Sequence, residues 1–314
     1  MVTLPRIVAD GPLDAVVTGL LEGHVLIEPW SLAQTGDTGP ISGVYTYGHP
    51  LVDGAMMDRL PGLKVISNYG VGVDHIRLDD AHARGILVGN TPGVLEGATA
   101  DLGFALLLAA ARRIVEGDRY ARSAAFTRYD PGYMLGREAH HATLGIVGMG
   151  NIGYQVAKRA RAFDMTVLYH NRRRRPDAEA GVDARFVTLD ELLGQSDYVM
   201  LCVPLTSETH GMFGAAQFAL MRPTATLINI ARGPVVQMKA LHDALSSRTI
   251  SSAAIDVTDP EPLPRDHPLL RLSNLVITPH LGSATIETRR KMAERSVANL
   301  LAGLRGEPLP SRVA

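Results

Sequence analysis

Apolar residues fall in short clusters set apart by turn-forming residues along most of the chain. In the first ninety residues the clusters Arg6-Ile7-Val8-Ala9, Val25-Leu26-Ile27, Val44-Tyr45-Thr46, Val65-Ile66-Ser67 and Ile86-Leu87-Val88 are rich in β-branched side chains. They predict short strands. Between them, helical patterns are predicted over 12–21, 51–60 and 78–84, while 34–42, rich in Gly, Thr and Pro, predicts a loop. Strands that alternate with helices build a parallel sheet covered on both faces.

Residues 97–117 change the rhythm. Phe104-Ala105-Leu106-Leu107-Leu108-Ala109-Ala110-Ala111 is apolar nearly all round, which predicts one long helix buried against a neighbouring domain or a second subunit. A loop rich in Tyr and Gly spans 126–136, and the alternation then resumes. Strands are predicted at 143–147, 166–169, 198–201, 225–230, 253–255 and 275–277, with helices at 154–163, 189–193, 214–220 and 238–245. A final helix over about 285–304 lies past the last strand and is expected to cross back onto the N-terminal domain. The fold class is α/β with parallel sheets, and 314 residues suit two domains.

Composition removes several classes of function. With 46% hydrophobic and 20% charged residues the chain is globular, and a net charge of −1 gives no electrostatic reason to expect nucleic acid or a membrane surface. The single cysteine, Cys202, excludes an internal disulfide framework and a Cys-based metal cluster and suits a reducing compartment. The N-terminal segment lacks the regions of a signal peptide, and the longest apolar run, 102–111, is too short to span a bilayer. A cytoplasmic protein without a bound metal is expected.

The stretch Thr143-Leu144-Gly145-Ile146-Val147-Gly148-Met149-Gly150-Asn151-Ile152-Gly153 joins a strand, a glycine turn and a helix. Gly148-x-Gly150-x-x-Gly153 in that context is a dinucleotide fingerprint: glycines permit a tight turn and close approach to a pyrophosphate seated on the helix N-terminus. An NAD site would carry an acid about twenty positions on. His170, Asn171 and Arg172 stand there instead, followed by Arg173, Arg174 and Arg175. Guanidinium groups suit a 2′-phosphate, so NADPH is expected over NADH, which remains usable; Arg174 and Arg175 also fit a solvated basic turn.

In such sheets ligands meet residues just past the strand C-termini. That rule selects His170-Asn171-Arg172, Val203-Pro204, Ala231-Arg232-Gly233, Asp256 and Thr278-Pro279-His280. The turn Asn68-Tyr69-Gly70-Val71-Gly72 also follows a strand, and its backbone N–H groups suit an anion such as a carboxylate, although the segment alone favours an ordinary glycine turn. Taken together, Arg232, Glu261 and His280 suit carbonyl reduction. Arg232 would orient a substrate carboxylate and polarise the adjacent carbonyl, and His280 would supply the proton. Glu261, on the other ring nitrogen, would fix the tautomer and favour the protonated ring.

The fingerprint, Asn229-Ile230-Ala231-Arg232-Gly233, Asp256-Val257-Thr258-Asp259-Pro260-Glu261-Pro262 and Pro279-His280-x-Gly282-Ser283 together resemble the D-isomer-specific 2-hydroxyacid dehydrogenase family. The chain is most similar to its glyoxylate/hydroxypyruvate reductase branch, and the likeness runs from Asn68 to the tail. The resemblance implies two Rossmann-like, doubly wound domains. A flavodoxin-like substrate domain (1–96 and 285–314) would carry an inserted dinucleotide-binding domain (97–284). It implies Arg232, Glu261 and His280 as the catalytic set, with Val71, Gly72 and Ser283 for substrate. For the cofactor it implies Gly148, Gly150, Asn151, Ile152, Gly153, Asn171, Arg172, Arg173, Val203, Pro204, Thr209, Ile230, Ala231, Asp256 and Gly282, with Asp256 on the nicotinamide amide. It also implies a homodimer to which the helix near Gly97 contributes.

One departure bears on substrate size. The reductase branch carries a tryptophan in the loop before the fingerprint, but here Tyr129-Asp130-Pro131-Gly132-Tyr133-Met134-Leu135-Gly136 has none, and the one tryptophan is Trp30. Glyoxylate and hydroxypyruvate lead, with 2-ketogluconate or bulkier 2-oxoacids as alternatives. A dinucleotide-sensing corepressor is the competing class; such proteins carry extensions and bind NAD(H), which the arginine run argues against.

Overall fold

A computed structural model of the chain describes residues 3–36 and 39–313. Two compact units emerge, one formed by Met1–Leu95 with Ala284–Ala314 and the other by Glu96–Ser283.

In the first unit, β1 (Arg6–Ala9), β2 (Leu26–Pro29), β3 (Gly43–Thr46), β4 (Val65–Asn68) and β5 (Leu87–Gly89) pair in parallel in the order β2-β1-β3-β4-β5. This is the flavodoxin-like strand order. Strands β3 and β4 are buried along their whole length, as unbroken clusters such as Val65-Ile66-Ser67 require of a sheet covered on both faces. The helices are α1 (Ala15–Leu21), α2 (Ser31–Thr35), α3 (Gly54–Asp58) and α4 (Leu78–Ala83). The Asp14 carboxylate accepts from the N–H groups of Val16 and Val17 and so fixes the start of α1, a cap worth about 1 kcal/mol. Helix α2 enters the stretch predicted as the loop 34–42, of which positions 37 and 38 lie outside the described residues. Its N-cap, Trp30, makes no side-chain bond, so the sequence carries no start signal for it.

The second unit opens with α5 (Glu96–Ala111) and α6 (Ile114–Ala121) in place of the single helix predicted over 97–117. Between them Arg113 adopts a left-handed conformation (φ 53°), and its guanidinium bonds both oxygens of Glu116. The buried residues of α5 belong to the core of its own unit, where the helix packs on α7 (Asn151–Ala162) and on strands β10 (Thr226–Asn229), β11 (Ser252–Ile255) and β12 (Leu275–Ile277). Burying a side chain such as Leu107 contributes about 1.5–3 kcal/mol.

With β6 (Thr143–Val147), β7 (Thr166–His170), β8 (Ala184–Phe186) and β9 (Tyr198–Leu201), these strands form a seven-stranded parallel sheet in the order β12-β11-β10-β9-β6-β7-β8. The chain direction across the sheet reverses between β6 and β9, which makes the C-terminal end of β6 a topological switch point. Helices α8 (Pro176–Val182), α9 (Leu189–Gln195), α10 (Ala215–Leu220) and α11 (Met238–Ser246) cover the sheet with α5 and α7. The pair α8–β8 was not predicted. Pro176 at the first helical position and Asp177 and Glu179 in the first turn are its start signals, masked by the arginines before them.

The last helix, α12 (Ile286–Arg305), returns to the first unit and packs on α1, β3, β4 and β5. It is also hydrogen-bonded there: Ser296 meets the Tyr45 hydroxyl at 2.7 Å and Asn299 donates to the Asn90 carbonyl at 2.9 Å. Among the described residues no helix is long and apolar enough to cross a membrane.

Candidate active site

At the end of β6 the fingerprint turns with Gly148 at φ 102°, its N–H bonded to the His170 carbonyl at 3.0 Å. A Cβ on Gly148 would lie 2.7 Å from the Cys202 carbonyl carbon, and one on Gly153 would lie 2.1 Å from the Gly148 oxygen. These two glycines are therefore demanded by the protein's own packing. Gly150 is different. Its φ is −80°, which any residue adopts, and a Cβ there would meet no heavy atom within 4 Å. Among the described residues nothing requires glycine at 150, and the open space leaves room for a ligand close to the backbone. Helix α7 begins at Asn151 without a side-chain cap, and the N–H groups of Asn151 and Ile152 have no acceptor among the described residues. Open space, unbonded N–H groups and the positive end of a twelve-residue helix together fit a pyrophosphate.

Past β7, Asn171 accepts from the Met149 N–H at 2.9 Å, so its side chain pins the fingerprint loop. The four arginines divide into two pairs. Arg174 bonds both oxygens of Glu179 at 2.7 Å. Arg175 bonds Asp177 at 2.9 and 2.5 Å and holds that carboxyl down at about 2. Arg172 and Arg173 are exposed and form no ion pair among the described residues.

Val203 and Pro204 follow β9. The Thr209 hydroxyl donates to the Pro204 carbonyl at 2.6 Å and accepts from Thr206 N–H at 2.8 Å, which closes the loop beyond them. Cys202 offers no nucleophile here, because desolvation pushes its thiol up to about 12.

Past β10, the buried Asn229 binds both ends of a tight turn. Its oxygen accepts from Ala231 N–H and its amide donates to the Arg232 carbonyl, each at 3.0 Å. Ile230 and Ala231 are buried within the turn and Arg232 is half-buried. A Cβ on Gly233 would lie 1.9 Å from the Thr258 oxygen, so this turn presses against the loop that carries Glu261. Glu261 and His280 meet directly, with His280 Nδ1 2.6 Å from Glu261 Oε1. The second oxygen of Glu261 accepts from Thr258 N–H at 3.1 Å, which anchors the carboxylate.

Asp256, predicted at the nicotinamide amide, is 2% exposed. Its carboxylate accepts from the Thr278 hydroxyl at 2.6 Å, Leu281 N–H at 2.7 Å and Gly282 N–H at 2.8 Å. Ser283 follows directly and is half-buried.

The remaining predicted residues, Val71 and Gly72, belong to the first unit. There Asn68, 1% exposed, donates to the carbonyls of Gly70 and Gly72, both at 2.8 Å, and accepts from the Thr46 hydroxyl. Asn90 donates to the Val71 carbonyl at 2.8 Å and Thr91 to that of Tyr69 at 2.9 Å. Four successive carbonyls are thus held by protein donors, while the N–H groups of Gly70, Val71 and Gly72 have no acceptor among the described residues. Open N–H groups in a row are compatible with the anion nest expected at this turn.

The structure therefore joins Glu261 to His280, sets Arg232 in the adjoining loop and gathers the fingerprint residues at the switch point. Asn90 and Thr91 were not singled out, and Asn68, Asn229 and Thr278 stood within selected segments without a role of their own; only their polarity within buried or turn segments signals them. A cavity of about 530 Å³ lies at the opposite, N-terminal end of the strands, among Arg113, Arg119, Arg137 and the starts of β10 to β12, and none of the predicted site residues lines it.

These features define a doubly wound dinucleotide-binding protein with a histidine–carboxylate pair past the last strands of the same sheet. Residues 104–282 match the family described as D-isomer specific 2-hydroxyacid dehydrogenase, NAD binding domain. The chain is 48% identical over 263 residues to a glyoxylate reductase of Korarchaeum cryptofilum, covering 83% of this chain and 79% of the relative. It is 46% identical over 266 residues to one of Pyrococcus furiosus, with coverage of 83% and 79%. The crystal structure of an NADPH-dependent glyoxylate/hydroxypyruvate reductase from Sinorhizobium meliloti, in complex with NADP and malonate, matches with a TM-score of 0.90 at 30% identity, covering 99% of this chain and 97% of the other. The chain belongs to the D-isomer specific 2-hydroxyacid dehydrogenase family and is an NAD(P)-dependent oxidoreductase.

Proposed function

We propose that this protein reduces small 2-oxoacids, glyoxylate and hydroxypyruvate first among them, with NADPH as the preferred reductant. The observation that carries the mechanism is the 2.6 Å bond between His280 Nδ1 and Glu261. The substrate class is supported by the glyoxylate reductases among the relatives. The nest at Gly70, Val71 and Gly72 takes the substrate carboxylate. Arg232 offers a planar fork to the carboxylate and the adjacent carbonyl oxygen. The fingerprint from Gly148 to Gly153 would hold the dinucleotide, which when bound would supply a hydride for the carbonyl carbon. His280 gives the proton to the oxygen from Nε2, because the Glu261 carboxylate keeps the other proton on Nδ1. The oxyanion is thereby neutralised as it forms and the product is the 2-hydroxyacid.

The test is loss of NADPH absorbance with a panel of 2-oxoacids. Faster turnover of glyoxylate and hydroxypyruvate than of 2-ketogluconate is expected, and absence of turnover with every member of the panel overturns the reading.

The cofactor preference is supported by the division within the arginine run, since Arg172 and Arg173 are the two without ion pairs among the described residues. Arg172→Asp removes a charge-assisted bond and adds repulsion, so the ratio of kcat/KM for NADPH over NADH is expected to fall about 30- to 100-fold. An unchanged ratio means that Arg172 does not read the phosphate. Within the nest, Asn68→Ala releases the carbonyls of Gly70 and Gly72 and lets the N–H groups swing. KM for the 2-oxoacid is expected to rise about tenfold with NADPH affinity unchanged, as titrated by nucleotide fluorescence.

A homodimer is the proposed working state, with the cytoplasm its proposed compartment. The dimer is supported by a run of exposed large apolar side chains on α6 and the loop beyond it, at Ile114, Phe126, Tyr129, Tyr133 and Leu135.

A further inference from the structure

The loop that carries the reacting histidine hangs from a single buried side chain. Thr278 donates its hydroxyl to Asp256 Oδ1, Leu281 its N–H to the same oxygen, and Gly282 its N–H to Oδ2. The N–H of His280 itself is bonded to the Asp256 backbone carbonyl at 2.9 Å. Every backbone N–H of 280–282 thus ends on Asp256, and Pro279 between them and Thr278 has none to offer. The Asp256 N–H in turn donates to the carbonyl of Asn229, the residue that binds both ends of the Arg232 turn.

His280 has a left-handed backbone (φ 56°), a conformation that a residue bearing a Cβ keeps only where its surroundings over-determine it. The four bonds to Asp256 supply that constraint. A carboxylate taken out of water is costly unless donors replace the solvent, and here three donors converge on two oxygens. The arrangement is mutual: the loop satisfies the charge and the charge shapes the loop.

We propose that Asp256 is the positioning residue of the proton donor. It fixes 278–282 so that the His280 ring reaches Glu261 through Nδ1 and turns Nε2 to the substrate, and it ties that loop to the Arg232 turn through Asn229. This goes beyond the contact to the nicotinamide amide that family resemblance implies for Asp256, and it rests on His280 as the proton donor. In Asp256→Asn one oxygen becomes an amide group. Whichever way the amide is turned, a donor faces a donor: Gly282 N–H on one side, or Thr278 and Leu281 on the other.

The experiment uses the full-length protein in the direction of 2-hydroxyacid oxidation, with NADP and with its 3-acetylpyridine analogue, whose ring lacks the amide N–H groups. Asp256→Asn is expected to lower kcat about 10- to 100-fold while the dissociation constant for NADP stays within about threefold. The loss is expected to be equal with the analogue. In a His280→Ala background the substitution is expected to cost nothing more, since both changes act through one group. Full activity of Asp256→Asn overturns the proposal. So does a loss that vanishes with the analogue, which assigns Asp256 to the cofactor amide, or a loss that adds in full to that of His280→Ala. Should Asp256→Asn fail to fold, Thr278→Val removes one donor from Oδ1 and is expected to lower kcat about three- to tenfold with the same pattern; unchanged kcat there is equally fatal. Full activity of His280→Ala alone sinks the parent reading, whereas an inactive His280→Ala beside a fully active Asp256→Asn sinks only this one.

Discussion

Replacing His280 by alanine is expected to lower kcat about 10²- to 10⁴-fold with 2-oxoacid and NADPH, the range that general acid catalysis contributes. Without the ring, the proton must reach the developing oxyanion from water. Glu261 stays held by Thr258 N–H, so its carboxylate does not move into the place of the ring. Cofactor affinity is expected to stay within about threefold, since the groups suited to the pyrophosphate lie at the end of β6 and the start of α7. The two quantities separate cleanly in practice: nucleotide fluorescence titration reads affinity, and a single-turnover trace reads the chemical step. A variant that keeps near-normal turnover removes His280 from the mechanism. A variant that loses cofactor binding with turnover shows instead that His280 supports the fold of the site.

The readable part of this protein is the part in which local sequence and tertiary surroundings demand the same thing. Clusters such as Val65-Ile66-Ser67 and Tyr198-Val199-Met200-Leu201 are strands because buried parallel strands need apolar residues on both faces, and each lies buried in a parallel sheet. The fingerprint was legible because its glycines answer steric demands at fixed spacing, and Gly148 and Gly153 would each clash if they carried a Cβ. The break between α5 and α6 was not legible. An apolar run continues helical periodicity whether or not Arg113 turns left-handed, and the Arg113–Glu116 bond that accompanies the turn resembles an ordinary helical ion pair. The edge pair α8–β8 was hidden for a different reason, because a three-residue strand with two exposed positions carries no burial signal.

At the candidate site the same distinction holds. Arg232, Glu261 and His280 could be picked out by reactive type and by their positions past strand ends. The way the surrounding groups hold them could not. Asp256 was selected only as a cofactor contact and Asn229 only as part of a motif, yet both act through the direction of their donors and acceptors, and the partners of the Asp256 carboxylate lie 22 to 26 positions away in the chain. Spacing gives no hint of that, since a buried aspartate after a strand serves a ligand or a loop with equal ease.

Arg232→Ala is expected to lower kcat/KM for glyoxylate about 10³-fold, divided between a higher KM and a lower kcat. The division follows from two interactions of different kinds. A guanidinium that pairs with the substrate carboxylate stabilises ground state and transition state alike, so its loss appears in KM. A guanidinium that also faces the carbonyl oxygen gains strength as that oxygen becomes negative, so this part appears in kcat. The turn itself should survive the substitution, because the bonds from Asn229 run to the backbone of Ala231 and Arg232, and Gly233 still seats against Thr258. Arg232→Lys separates the two parts further. A lysine keeps the charge but has no planar fork, so KM is expected to recover more than kcat. Steady-state kinetics over a range of 2-oxoacid concentrations reads both constants. If alanine raises KM alone, Arg232 is only an anchor for the carboxylate. If kcat falls alone, the nest at Gly70 to Gly72 carries the carboxylate unaided and Arg232 acts only on the carbonyl.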